Sequence, residues 1–262
     1  MRVVVGDARL ETLRLPGDPA RPTIVLLHEG LGSVALWRDF PQQLAARTRC
    51  AVVAYSRRGY GASDPLAGPR EPDYMQREAT EVLPSLLDAL AVERPILFGH
   101  SDGASIAIVY AGAFPDRVSG LVLEAPHVFV EEISLRSIAA ARAAWERGDL
   151  RARLSRYHTH VEDAFRGWND AWLDPRFRGW NIEADAARIT CPVLIVQGEA
   201  DEYGTLAQVE SIAARVPLTQ ALVIPGAGHS PHRDAAEKVL TRVATFVDTS
   251  VLGADEESMK RE

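Results

Sequence analysis

The chain has 262 residues, 47% hydrophobic and 25% charged, which is enough apolar material for one substantial core and too much for a disordered chain. A net charge of −7 argues against a nucleic-acid binder, which needs a basic face. No apolar run reaches the length of a membrane span, and the opening stretch lacks the apolar centre of a secretory signal. No nucleic-acid or membrane partner and a cytoplasmic location are therefore expected.

Taken in chain order, Arg2–Val5 and Leu10–Leu15 read as an antiparallel hairpin at a sheet edge. "TIVLLH" (Thr23–His28) reads as a buried strand, Asp39–Arg49 as a helix and Cys50–Ser56 as another strand. Tyr74–Val92 has the pattern of a long amphipathic helix, kinked by Pro84. Arg94–His100 is a strand, Asp102–Phe114 a helix apolar nearly all round, and Ser119–Ala125 a strand. After a gap come the strand Cys191–Gly198, the helix Thr205–Val216, the strand Gln220–Gly226 and a last helix from His232 to Val247. Strands made of continuous Val, Ile and Leu are covered on both faces, and their alternation with helices predicts a mostly parallel sheet.

Pro126–Arg188 breaks the rhythm. It shows no clear strand and holds four of the five tryptophans, so it reads as a helical insertion. The predicted organisation is one α/β core, residues 1–125 and 189–250, a helical cap over 126–188, and a disordered acidic tail over 251–262. Cys50 and Cys191 each open an apolar strand and read as buried, inert thiols. All but two of the 29 basic residues are arginine, a bias expected of a GC-rich bacterial genome.

The chemistry is concentrated in "PILFGHSDGASIAIVYA". A Gly-x-Ser-x-Gly pattern is weak alone, but here a strand precedes Ser101 and a buried helix follows it. That turn forces the serine into a strained backbone and aims its hydroxyl, with a helix N-terminus behind it, out of the sheet edge. Gly99 and Gly103 avoid side-chain clashes across the turn. A serine nucleophile needs a base and the base an orienting acid. His229, in "PGAGHSPH" after the last strand, lies at the same sheet edge, and His232, at a helix start, is the rival. Asp201, just past the strand ending at Gly198, is the favoured acid, with Glu124 at the end of "GLVLE" as the second candidate.

Serine, aspartate and histidine in that order, with "LLHEGLGS", "YSRRGYGASDP", "GHSDG", "QGEAD" and "PGAGH", resemble the α/β-hydrolase superfamily. The Ser-Asp-Gly elbow and the W-x-x-x-W of the insertion resemble its biphenyl-hydrolase-like group, which includes valacyclovir hydrolase. The resemblance implies an α/β-hydrolase fold with a cap and an oxyanion hole built from the N–H groups of Asp102 and Gly30. It also implies that the Asp102 carboxylate binds a substrate amine; otherwise that carboxylate only favours the helix N-terminus. Glu29 stands where the family places glycine, and this carboxylate either acts at the site or folds back onto an arginine or backbone amides. Leu31, the neighbouring donor candidate, and His127, Phe129, Trp168 and Trp172 from the insertion are expected to line the substrate pocket.

The expected activity is hydrolysis of a small-molecule ester through an acyl-enzyme, with no metal or cofactor, by a monomer or homodimer. A thioesterase, a carbon–carbon bond hydrolase and a hydrolase-fold receptor are the alternatives.

Overall fold

The computed structural model describes residues 1–253. Eight strands form one sheet: β1 (Arg2–Val5), β2 (Ala8–Leu15), β3 (Ile24–Leu27), β4 (Val52–Tyr55), β5 (Ile96–His100), β6 (Gly120–Glu124), β7 (Val193–Gly198) and β8 (Thr219–Ile224). Their order is β1-β2-β4-β3-β5-β6-β7-β8. The pairs β1–β2 and β2–β4 are antiparallel and the rest are parallel.

Side chains that alternate across the sheet build two apolar layers. Val25, Leu27 and Leu97 face the layer of the helices Leu83–Leu90 and Asp102–Ala113. Ile24, Leu26, Ile96 and Phe98 face the layer of the helices Phe40–Thr48 and Ala236–Phe246. With both faces covered, every residue of β3, β5 and β6 is buried. Eleven of the 12 residues of the helix Asp102–Ala113 are buried, which is why its sequence is apolar all round.

The long helix around Pro84 is divided. Tyr74–Arg77 and Leu83–Leu90 are α-helical, and Glu78–Val82 between them is a wider π turn. The proline has no N–H to give to the preceding turn, and the π turn takes up that break. The helix stops at Ala91, whose left-handed φ of 53° closes its end.

Between β6 and β7 the chain forms a helical insertion: Glu132–Arg147, Leu150–Leu154, Val161–Trp172 and Glu183–Ala186. Its only β pairing among the described residues is a bridge between Phe129 and Asn181. Aromatic contacts hold it: Trp145 stacks on Phe165 at 4.1 Å, and Phe177 lies 4.7 Å from Trp172 and 5.3 Å from Trp180. Of the acidic segment expected to form a disordered tail, 251–253 continue the last helix and 254–262 lie outside the described residues. Both cysteines are buried and free. No described helix is long and apolar enough to cross a membrane.

Candidate active site

Parallel strands bring their C-terminal ends to one edge, and the chemistry gathers there. Ser101 follows β5 with φ 54° and ψ −116°, a conformation costly for any side chain. Two glycines permit it. A Cβ on Gly99 would overlap the carbonyl of Gly103, and one on Gly103 would overlap the carbonyl of Leu27 at the end of β3. The elbow is thus pressed against the start of the loop His28–Gly32.

His229, on the loop after β8, stands between Ser101 and Asp201. The Ser101 hydroxyl donates to His229 Nε2 across 2.9 Å, and His229 Nδ1 lies 2.9 Å from both carboxylate oxygens of Asp201. Asp201 accepts three further hydrogen bonds, from Gln197 Nε2 (2.8 Å), Tyr203 N (2.7 Å) and Gly204 N (3.2 Å). Burial opposes its charge, but the His229 bond, the charge of that ring and the Tyr203 amide outweigh burial and lower its pKa to about 2.

The second candidates pair with each other instead. Glu124 accepts from the backbone N–H of His232 at 2.5 Å and lies 2.7 Å from its Nδ1. His232 is buried against Trp37 and Phe40.

A cavity of about 160 Å³ opens beside Ser101 and His229. Glu29, Gly30, Leu31, His127, Trp168 and Trp172 all line it. So do Ser134, Ile138 and Tyr203, which the sequence did not single out. Phe129 does not; its carbonyl accepts from Gln208 and its backbone pairs with Asn181. His127 is buried, and its Nδ1 has no partner. Burial and the nearby His229 push its pKa down to about 4, so it is neutral near pH 7. A Cβ at Gly30 would overlap the indole of Trp168, so only glycine lets the loop and the insertion close this wall. Among the described residues, no hydrogen bond engages the backbone N–H groups of Gly30, Leu31 or Asp102.

The Asp102 carboxylate, which the resemblance implies binds an amine, has partners within the protein. It is fully buried, accepts from Tyr74 Oη (2.5 Å) and Trp172 Nε1 (3.1 Å), and lies 3.8 Å from Arg57 Nη2. Arg57, itself 1% exposed, donates to the carbonyls of His28 (2.6 Å) and Glu29 (3.0 Å). Asp102 thus balances the buried cation that clamps the loop His28–Gly32, and it is not among the residues that line the cavity. The Glu29 carboxylate reaches neither a buried arginine nor backbone amides. It lies 3.5 Å from the partly exposed Arg233 and 3.6 Å from His100.

An eight-stranded mostly parallel sheet, a helical insertion over its C-terminal edge and a serine on a strained strand–helix turn define a hydrolase of the α/β-hydrolase class. Residues 24–242 match the model of the Alpha/beta hydrolase family, and the chain belongs to that family. Among curated relatives it is 26% identical to mouse (Mus musculus) serine hydrolase BPHL, over 94% of this chain and 85% of that one. It is 25% identical to 2-(acetamidomethylene)succinate hydrolase of Mesorhizobium japonicum, over 90% and 92% of the two chains. Among solved structures, the enol-lactonase of Burkholderia xenovorans superposes with a TM-score of 0.75 at 19% identity, covering 95% of this chain and all of that one.

Proposed function

We propose that the protein is a serine esterase that cleaves small, uncharged carboxylic esters through an acyl-enzyme on Ser101. The observation that carries this reading is the unbroken line Ser101–His229–Asp201, with 2.9 Å at each link, opening onto the cavity. His229 Nε2 takes the Ser101 proton as Oγ bonds to the ester carbonyl carbon. Asp201 keeps the His229 proton on Nδ1 and balances the imidazolium that forms. The N–H groups of Gly30 or Leu31 and of Asp102, free of other partners, receive the oxyanion. The C–O bond then breaks, the alcohol departs with the proton from Nε2, and a water activated by the same nitrogen releases the acid.

Substrate size follows from the cavity. Its roughly 160 Å³ lies below the usual range for drug-sized ligands. Leu31, Ile138, Trp168 and Trp172 supply apolar walls. The carboxylate expected to bind an amine is consumed by Tyr74, Trp172 and Arg57, so a neutral acyl group fits better than an amino-acid ester.

A panel of p-nitrophenyl esters from acetate to octanoate, with acyl-CoA thioesters, amino-acid esters and a vinylogous diketone beside it, tests this. Highest kcat/KM for short neutral esters, abolished in Ser101→Ala, is expected. Turnover confined to the thioester or the diketone would move the assignment to those chemistries, and turnover surviving in Ser101→Ala would overturn it.

A further inference from the structure

Three segments must hold registry for the reaction proposed above: the elbow of Ser101, the loop carrying Gly30, and the loop carrying His229. His100, the residue before the nucleophile, touches the other two. Its Nε2 donates to the carbonyl of His229 at 2.6 Å, and its Nδ1 lies 3.6 Å from Glu29 Oε2. The ring is fully buried, and Nδ1 has no hydrogen-bond partner nearer than that carboxylate.

We propose that His100 is a positioning residue that, as an imidazolium paired with Glu29, ties the oxyanion loop and the base loop to the nucleophile elbow. The arrangement of partners around the ring favours the charge. A carbonyl only accepts, so Nε2 must carry a proton. A neutral ring would then turn the bare lone pair of Nδ1 toward the Glu29 carboxylate. Protonating Nδ1 replaces that repulsion with an ion pair, and Arg233 at 3.5 Å places a second cation beside Glu29. The pairing gives the glutamate a physical reason to stand where the family has glycine. Other titratable groups around the ring are Glu124, His127, His229 and His232. Both oxygens of Glu124 are already engaged by His232, which leaves Glu29 as the direct counter-ion. Burial opposes the charge on His100, but the Glu29 contact, the Glu124 charge and the His229 carbonyl outweigh it and raise the pKa above 6.5.

The consequence is an alkaline titration in the rate. Activity falls with rising pH when His100 loses its proton, because the Glu29 tie is lost and the base loop relaxes. The inference rests on the serine-esterase reading for its kinetic arm and is independent of it in its spectroscopic arm.

Wild type, Glu29→Gln and His100→Asn are assayed from pH 5 to 10 on a short p-nitrophenyl ester, and the imidazole resonances of histidine-labelled protein are titrated. Expected for the wild type are a kcat/KM profile that falls on its alkaline side and a buried histidine whose pKa is raised above the ordinary imidazole value. Expected in Glu29→Gln are the alkaline limb and that resonance moved together to lower pH. In His100→Asn the limb disappears and kcat falls about 10–100-fold with KM within twofold, the cost of small misplacement of reacting groups. Superimposable profiles and unchanged kcat in Glu29→Gln would overturn the proposal, whether or not His100→Asn folds. An unshifted His100 resonance in Glu29→Gln would also overturn it, even if no ester is turned over. Wild type that hydrolyses no ester while the resonance still shifts would sink the esterase reading and leave the ion pair standing.

Discussion

Replacing Asp102 with Asn keeps the shape of the side chain and removes its charge, so it isolates the role of the buried pair with Arg57. The two groups are 0% and 1% exposed and 3.8 Å apart. At an effective dielectric of about 20 their attraction is roughly 4 kcal/mol, and stranding one member of a buried pair typically costs about 3–5 kcal/mol. The asparagine oxygen still accepts from Trp172, which places the expected loss near the lower end, about 3 kcal/mol. For a chain of this size that is a fall in Tm of about 6–12 °C. Arg57 also clamps the carbonyls of His28 and Glu29, so kcat should fall by a similar factor on neutral and on amine-bearing esters. Differential scanning calorimetry and a paired-ester assay read both effects. A Tm within about 2 °C of wild type would refute the buried-pair account, and selective loss of amine-bearing esters would restore the amine-binding role.

Asp201→Asn should lower kcat by about 10⁴ with KM little changed, because the wrong His229 tautomer is favoured while the cavity is intact; steady-state kinetics on a short ester checks this. Gly30→Ala should lower kcat at least tenfold, since the added Cβ meets the Trp168 indole and the loop must shift; wild-type rates would contradict the packing of that wall. Stability should fall on acidification in two stages, followed by urea midpoints. His127 is held neutral with its pKa near 4, so its contribution is complete above 6.5 and lost as pH drops from 6.5 toward 4. Asp201, lowered to about 2, contributes above the ordinary carboxylate range and is lost as pH falls from about 4 to 2. His127→Gln should flatten the first stage and Asp201→Asn the second.

The sheet was readable from the chain because its strands are buried on both faces and carry unbroken Val, Ile and Leu, as in "PILF" and "LVLE". The helical insertion was readable from a loss of that rhythm. At the site, short-range chemistry was legible: the glycines around Ser101, and a histidine and an acid just past strand ends. What was not legible depends on contacts across long separations. Tyr74 and Trp172 meet the Asp102 carboxylate from 28 and 70 residues away, and no local pattern marks either as its partner. Glu124 and His232 are plausible acid and base by position, yet they find each other across 108 residues, with His232 buried against Trp37 and Phe40. Ser134 and Ile138 reach the cavity through the rotation of one helix of the insertion, which its sequence leaves open.

The central claim is that Ser101 is the nucleophile served by His229. Mass spectrometry after treatment with a small alkyl fluorophosphonate tests it most directly. The account predicts one adduct per chain, located on the peptide containing Ser101, absent in Ser101→Ala and formed at least 100-fold more slowly in His229→Gln. An adduct on another residue, or labelling of Ser101 at an undiminished rate without His229, would contradict it.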